Sequence, residues 1–172
     1  MPIIASGTNP TLYGDLFDTI SVCLSKRVGC TCRICPVRLS RSYKERGKRI
    51  RKVLGGTMRQ AGYIASAGLF ALRNNVDRLA TDHQNARIIS ESLSRKDWVS
   101  SMLNVETNII IFRIVPGIPA SKVVEVLKQN EILCSATGPD SIRFVTHLDI
   151  SAEMVDHAVS VIGKLERQSF SY

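Results

Sequence analysis

Phe17, Thr19, Ser21 and Cys23 alternate with Asp18, Ile20, Val22 and Leu24 in the run that ends Ser25-Lys26. A period of two with β-branched residues predicts a strand over residues 17–26. Residues 1–16 show no such period, and the Ser, Gly, Asn and Pro among Met1 to Pro10 read as a loose tail. Lys44 to Leu54 predicts a short basic helix with Ile50, Val53 and Leu54 as its apolar positions, stopped by Gly55-Gly56. Thr57-x-x-Gln60 fits a capping box, so a new helix is expected from Thr57. Along it Ala61, Ile64, Ala65, Gly68, Leu69 and Leu72 form a narrow small-residue stripe, broken at Asn74-Asn75. Val76, Leu79, His83, Ala86, Ile89 and Leu93 then mark the buried face of a helix over 76–94, with His83 read as a core histidine.

From Val105 the pattern changes. Asn108 to Val115 predicts a strand and Ala120 to Gln129 an amphipathic helix. Ile132 to Ser135 and Ser141 to His147 predict two further strands, and Met154 to Leu165 a final helix. That order describes a small α+β unit with its helices on one sheet face. The boundary before it is expected near residues 96–104, with Trp98 a packing residue in the connector.

Composition adds little at first. A chain of 172 residues, 44% hydrophobic and 22% charged, is of the soluble globular class, with no apolar run of membrane-spanning length and no signal-peptide pattern at Met1 to Pro10. Cytosol or mitochondrial matrix is the expected compartment. The net charge of +8 is local, because residues 26–52 hold eleven Lys and Arg against Glu45 alone. A basic segment of this kind raises a nucleic-acid surface, but interleaved aromatics are missing beyond Tyr43. Cys30, Cys32 and Cys35 have thiolate-ligand chemistry but no nearby fourth Cys or His. An irregular basic loop is the plainer reading.

Two residues carry candidate chemistry. A lysine ending a core strand is poorly placed for solvent; desolvated, Lys26 would lose its charge readily and become a nucleophile toward carbonyls, as a pyridoxal phosphate (PLP) Schiff base requires. On the pattern alone an exposed strand cap is the plainer reading. Arg143 shares a strand face with Val145 and His147. In a core-type strand its guanidinium needs an anion, either a protein carboxylate, the favoured reading, or a substrate carboxylate held bidentately.

Taken together, FDTISVCLSK (17–26), LGGTMRQAGYIASAGLFAL (54–72), VDRLATDHQNARIISESL (76–93), ETNIIIFRI (106–114) and RFVTHLDIS (143–151) resemble the C-terminal part of the low-specificity L-threonine aldolases. These are PLP-dependent enzymes of the aspartate-aminotransferase-like fold, type I. The resemblance implies an α/β fold: the C-terminal part of a PLP-dependent transferase-like large domain over residues 17–100, then a small α+β domain over 101–172. It implies Lys26 as the Schiff-base lysine, Arg59 near the cofactor phosphate of a neighbouring subunit and Arg143 on the substrate α-carboxylate, with no metal. The implied reaction is retro-aldol cleavage of L-threonine or L-allo-threonine to glycine and acetaldehyde by a homotetramer. Small-molecule amino acids are the implied substrates, with neither nucleic acid nor membrane as partner.

Two departures set further expectations. The family's cofactor-stacking histidine, phosphate loop and pyridine-nitrogen aspartate precede the lysine and find no match in residues 1–16. The chain is therefore expected to be truncated, self-associating and impaired as a lyase, the alternative being a non-catalytic remnant acting at most in subunit contacts. After Lys26 the family has Gly-Leu-Gly-Ala-Pro-Val-Gly-Ser, where this chain has Arg27-Val28-Gly29-Cys30-Thr31-Cys32-Arg33-Ile34. The codons AGG GTT GGG TGC ACC TGT AGG ATC TGT, a permitted choice, give the family's loop when read without their first base. Residues 27–41 are thus expected to be a frame-shifted reading, with the Cys triplet its by-product.

Overall fold

The computed structural model describes residues 2–17, 20–24, 29, 35–37 and 41–170. It divides into two compact units, Ile3–Leu79 and Ala80–Tyr172, each taken by itself below. The stretch 96–104, where a boundary was expected, lies inside the second unit.

The first unit opens with two short helices, α1 (Pro2–Ser6) and α2 (Pro10–Leu16), where a loose tail was expected. Asn9 caps α2: its Oδ1 accepts from the Thr11 amide at 3.0 Å, and Pro10 sits at the first helical position, where its missing N–H costs nothing. Phe17 ends that helix and does not begin the strand. β1 is only Ile20–Val22, antiparallel to β2 (Cys35–Val37), which replaces part of the expected irregular loop with strand. Lys26, Cys30 and Cys32 lie outside the described residues.

Helix α3 (Arg41–Val53) ends at Gly55, whose φ of +73° suits a residue without Cβ. The Gly56 amide donates to Arg51 O at 2.8 Å and the Gly55 amide to Lys52 O at 3.2 Å, a Schellman closure. The capping box at Thr57 does not form. Helix α4 (Ala61–Asn74) starts four residues later, with Gln60 as a left-handed N-cap at φ 51° that makes no side-chain cap bond. Its buried line is also narrower than the expected stripe. Gly68 and Ala71 are buried, and Ala71 packs with Leu24, Val22, Ala67 and Val76, whereas Leu69 and Leu72 are exposed.

The chain continues into α5 (Leu79–Ser94), whose Leu79, His83, Ala86, Ile89 and Leu93 are buried as their spacing predicts. The second unit then forms an antiparallel sheet of order β3-β4-β6-β5: β3 (Val99–Met102), β4 (Ile109–Ile114), β5 (Ser135–Ala136) and β6 (Ser141–Val145). β3 went unread because two serines interrupt its apolar signal. Helices α6 (Ala120–Gln129) and α7 (Ala152–Lys164) supply Val123, Leu127, Val155 and Ile162 to one core with Ile110, Phe112, Ile142 and Phe144 from a single sheet face. Trp98 sits in that core, fully buried, edge-on to Phe112 at 6.0 Å and to Phe170 at 5.1 Å, and its Nε1–H donates to Leu165 O at 3.3 Å.

Strand β5 starts three residues later than expected, for a visible reason. Glu131 takes a left-handed φ of 64° after α6, and the Ile132 amide donates back to Leu127 O at 2.9 Å. Ile132 is spent on closing the helix, so pairing with β6 begins only at Ser135.

Candidate functional site

Arg143 is placed by strand alternation. Ile142 and Phe144 point into the core, so Arg143 and Val145 lie on the opposite, open face of β6. Its cross-strand neighbours are Ile111 on β4 and Ser135 on β5. Arg143 is exposed, and among the described residues no carboxylate pairs with it. The expectation of an arginine within a core-type strand is corrected here, since Arg143 is exposed; the expected ion pair finds no carboxylate among the described residues. The sheet's other open-face arginine, Arg113, does have a partner, Asp140, at 3.7 Å. Among the described residues no carboxylate occupies the planar donor fork of Arg143, a geometry suited to holding a carboxylate.

The end of this strand is held by a buried polar clamp. The Thr146 amide donates to Asn108 O at 3.0 Å, Asn108 Nδ2 donates to Thr146 O at 2.6 Å, and Thr146 Oγ1 donates to Asp82 O at 2.6 Å. Asn108 and Thr146 are both buried. The clamp ties β6 to the start of β4 and to the first turn of α5, fixing the strand three residues beyond Arg143. Reading the sequence for chemistry missed it. The available signal was a polar residue closing each of two apolar strands. Immediately after it, His147 Nδ1 accepts from the Asp149 amide at 3.3 Å and lies 3.4 Å from the Asp149 carboxylate.

In the first unit, Arg59 is exposed in the turn leading to α4. Gln60 makes no side-chain cap bond, so the first amides of α4, which begins two residues after Arg59, have no side-chain cap. Amides at a helix start together with an arginine suit a phosphate. Cys134, beside β5, is partly buried, and desolvation pushes its thiol up to about 11. Among the described residues no three His, Cys, Asp or Glu side chains group as a metal site, and no helix is long and apolar enough to cross a membrane.

Comparison with known proteins adds an independent finding. The sequence pattern of beta-eliminating lyases matches residues 3–115. A low-specificity L-threonine aldolase of Escherichia coli (strain K12) is 37% identical over 153 residues, covering 89% of this chain and 44% of that protein. Low-specificity L-threonine aldolase 1 of Arabidopsis thaliana is 35% identical over 146 residues, covering 83% and 40%. The chain thus spans less than half the length of these relatives. An Exiguobacterium sp. structure assigned to aromatic amino acid beta-eliminating lyases or threonine aldolases superposes with a TM-score of 0.72 at 15% identity, covering 98% of this chain and 49% of that one. A Listeria monocytogenes EGD-E structure assigned as an L-allo-threonine aldolase gives 0.71 at 13% identity, covering 94% and 48%.

Proposed function

Because this chain belongs to the beta-eliminating lyase family and resembles its threonine aldolases, we propose that it carries part of a PLP-dependent aldehyde-lyase site acting on β-hydroxy amino acids. The observation that carries the reading is Arg143, exposed on an ordered strand with no ion partner among the described residues.

In this reading Lys26 would hold the cofactor aldehyde, and Arg59 with the uncapped start of α4 would hold the phosphate of a neighbouring subunit's cofactor; amides at a helix start and a guanidinium are donors of the kind a phosphate needs. PLP, when bound, supplies the electron sink for the pair released as the Cα–Cβ bond breaks. Arg143 holds the substrate α-carboxylate through two parallel N–H donors, which orients the amino acid about Cα. The Asn108–Thr146 clamp keeps the strand bearing that fork in register. Cleavage of L-threonine or L-allo-threonine moves the β-hydroxyl proton off the leaving aldehyde and returns a proton to Cα, giving acetaldehyde and glycine.

The test is acetaldehyde release from both substrates with added PLP, in the parent chain, Arg143→Lys and Arg143→Ala. Loss of the fork should raise KM by on the order of a hundredfold in Arg143→Ala, with only partial rescue by lysine. Release unaffected by either substitution would refute Arg143 as the carboxylate anchor. No release from the parent chain would favour a second reading, a non-catalytic family member acting through subunit contacts. The exposed Leu12, Leu16, Phe17, Val53, Leu54 and Phe70 of the first unit support that alternative.

A further inference from the structure

The second unit contains a cavity of about 600 Å³ at the far end of β6. Its walls are apolar: Ile89, Ile132, Leu133, Phe144, Ile150 and Met154. Its rim carries Glu131, Asp149 and Glu153, with His147 and His157. His157 Nε2 donates to Asn130 O at 3.0 Å, so that ring is already engaged. Three carboxylates on one rim contrast with a chain whose net charge is +8.

The cavity opens where a strand ladder stops. β5 pairs with β6 at Ser135–Arg143 and Ala136–Ile142, and the Thr137 amide adds a bond to Ser141 O at 2.8 Å at the other end. Two residues further on, Leu133 would face Val145, yet no backbone bond joins them, because the left-handed Glu131 and the closure at Ile132 carry the chain aside. The neighbouring Thr146 amide is spent on Asn108, the residue before β4, so ladder alternation points the Val145 N–H and C=O at the opposite, open edge. An unpaired strand edge beside an apolar trough is the geometry that accepts an added strand.

We propose that this groove binds an extended peptide of alternating apolar and basic residues, added as a strand against β6 at Val145. Main-chain bonds to Val145 give the peptide its direction. Its apolar side chains enter the trough, and its basic ones meet Glu131, Asp149 and Glu153.

The test is fluorescence anisotropy of the full chain with a labelled hexapeptide alternating valine and lysine. Two analogues, N-methylated on alternate amides in the two possible phases, probe the strand edge. Binding in the micromolar range is expected, with one phase weakened by about tenfold or more and the other retained. Asp149→Lys combined with Glu153→Lys, both exposed positions, should weaken binding severalfold and remove its salt dependence. Absence of binding at roughly millimolar peptide, equal binding of both methylated phases, or indifference to the charge reversal would each overturn the proposal.

Discussion

Replacing Trp98 by alanine should remove a large share of the second unit's stability. The indole is fully buried and edge-on to two rings, Phe112 and Phe170, and its N–H is satisfied by Leu165 O. Truncating a buried tryptophan costs about 3–5 kcal/mol from lost transfer energy and the cavity left behind. Each edge-to-face ring contact accounts for about 0.5–1.5 kcal/mol beyond area burial. The Leu165 carbonyl, which also accepts none of the helix bonds, would lose its side-chain donor, at about 1 kcal/mol. A unit of this size holds on the order of 5–14 kcal/mol in total. Trp98→Ala is therefore expected to remove a third or more of it, and Trp98→Phe to cost about half as much. Urea denaturation followed by far-UV circular dichroism measures this, since the substitution removes the only tryptophan. In the parent chain the indole emission should be shielded from acrylamide. A loss below about 1 kcal/mol in Trp98→Ala, or free quenching in the parent, would refute the packing argument.

Glu131→Gly should stabilise the fold by about 0.5–1 kcal/mol in the same denaturation experiment, because glycine takes the left-handed φ without the Cβ penalty. Cys134 should alkylate slowly at neutral pH and faster as pH rises toward about 11, as measured by mass spectrometry against the exposed Cys23. Burial lifts its folded pKa above the ordinary thiol range, so its contribution to stability is present below that range and lost as pH climbs through about 11; a Cys134→Ser chain should lack that alkaline decline. The exposed apolar residues of α2, α3 and α4 predict concentration-dependent self-association in light scattering. A chain monomeric at all concentrations would contradict that. We propose that residues 27–41 are read out of frame; transcript codons that do not restore Gly-Leu-Gly-Ala when shifted by one base would end that proposal.

What the sequence made legible follows the strength of local periodicity. The face of α5 and the bounds of α6 were readable because their apolar residues recur at helical spacing with nothing competing. β6 was readable through alternation, and so was the face of Arg143. Its environment was not, because a period of two says which residues share a face but not which face is covered. The start of α4 was misread since a capping box is a local preference, and here Gln60 is held in a left-handed turn instead. β5 was misplaced because the Schellman closure at Glu131 and Ile132 has no glycine to announce it. The clamp of Asn108 and Thr146 joins residues 38 positions apart, and no window pattern reports such a pair.

We propose that Lys26 is the residue through which this chain would hold a pyridoxal phosphate cofactor. Borohydride reduction of the purified chain with PLP, followed by peptide mapping and a Lys26→Ala control, tests it most directly. A single pyridoxyl group is expected on the peptide containing Lys26, absent from the variant. Labelling scattered over surface lysines, or equal labelling of Lys26→Ala, would contradict it.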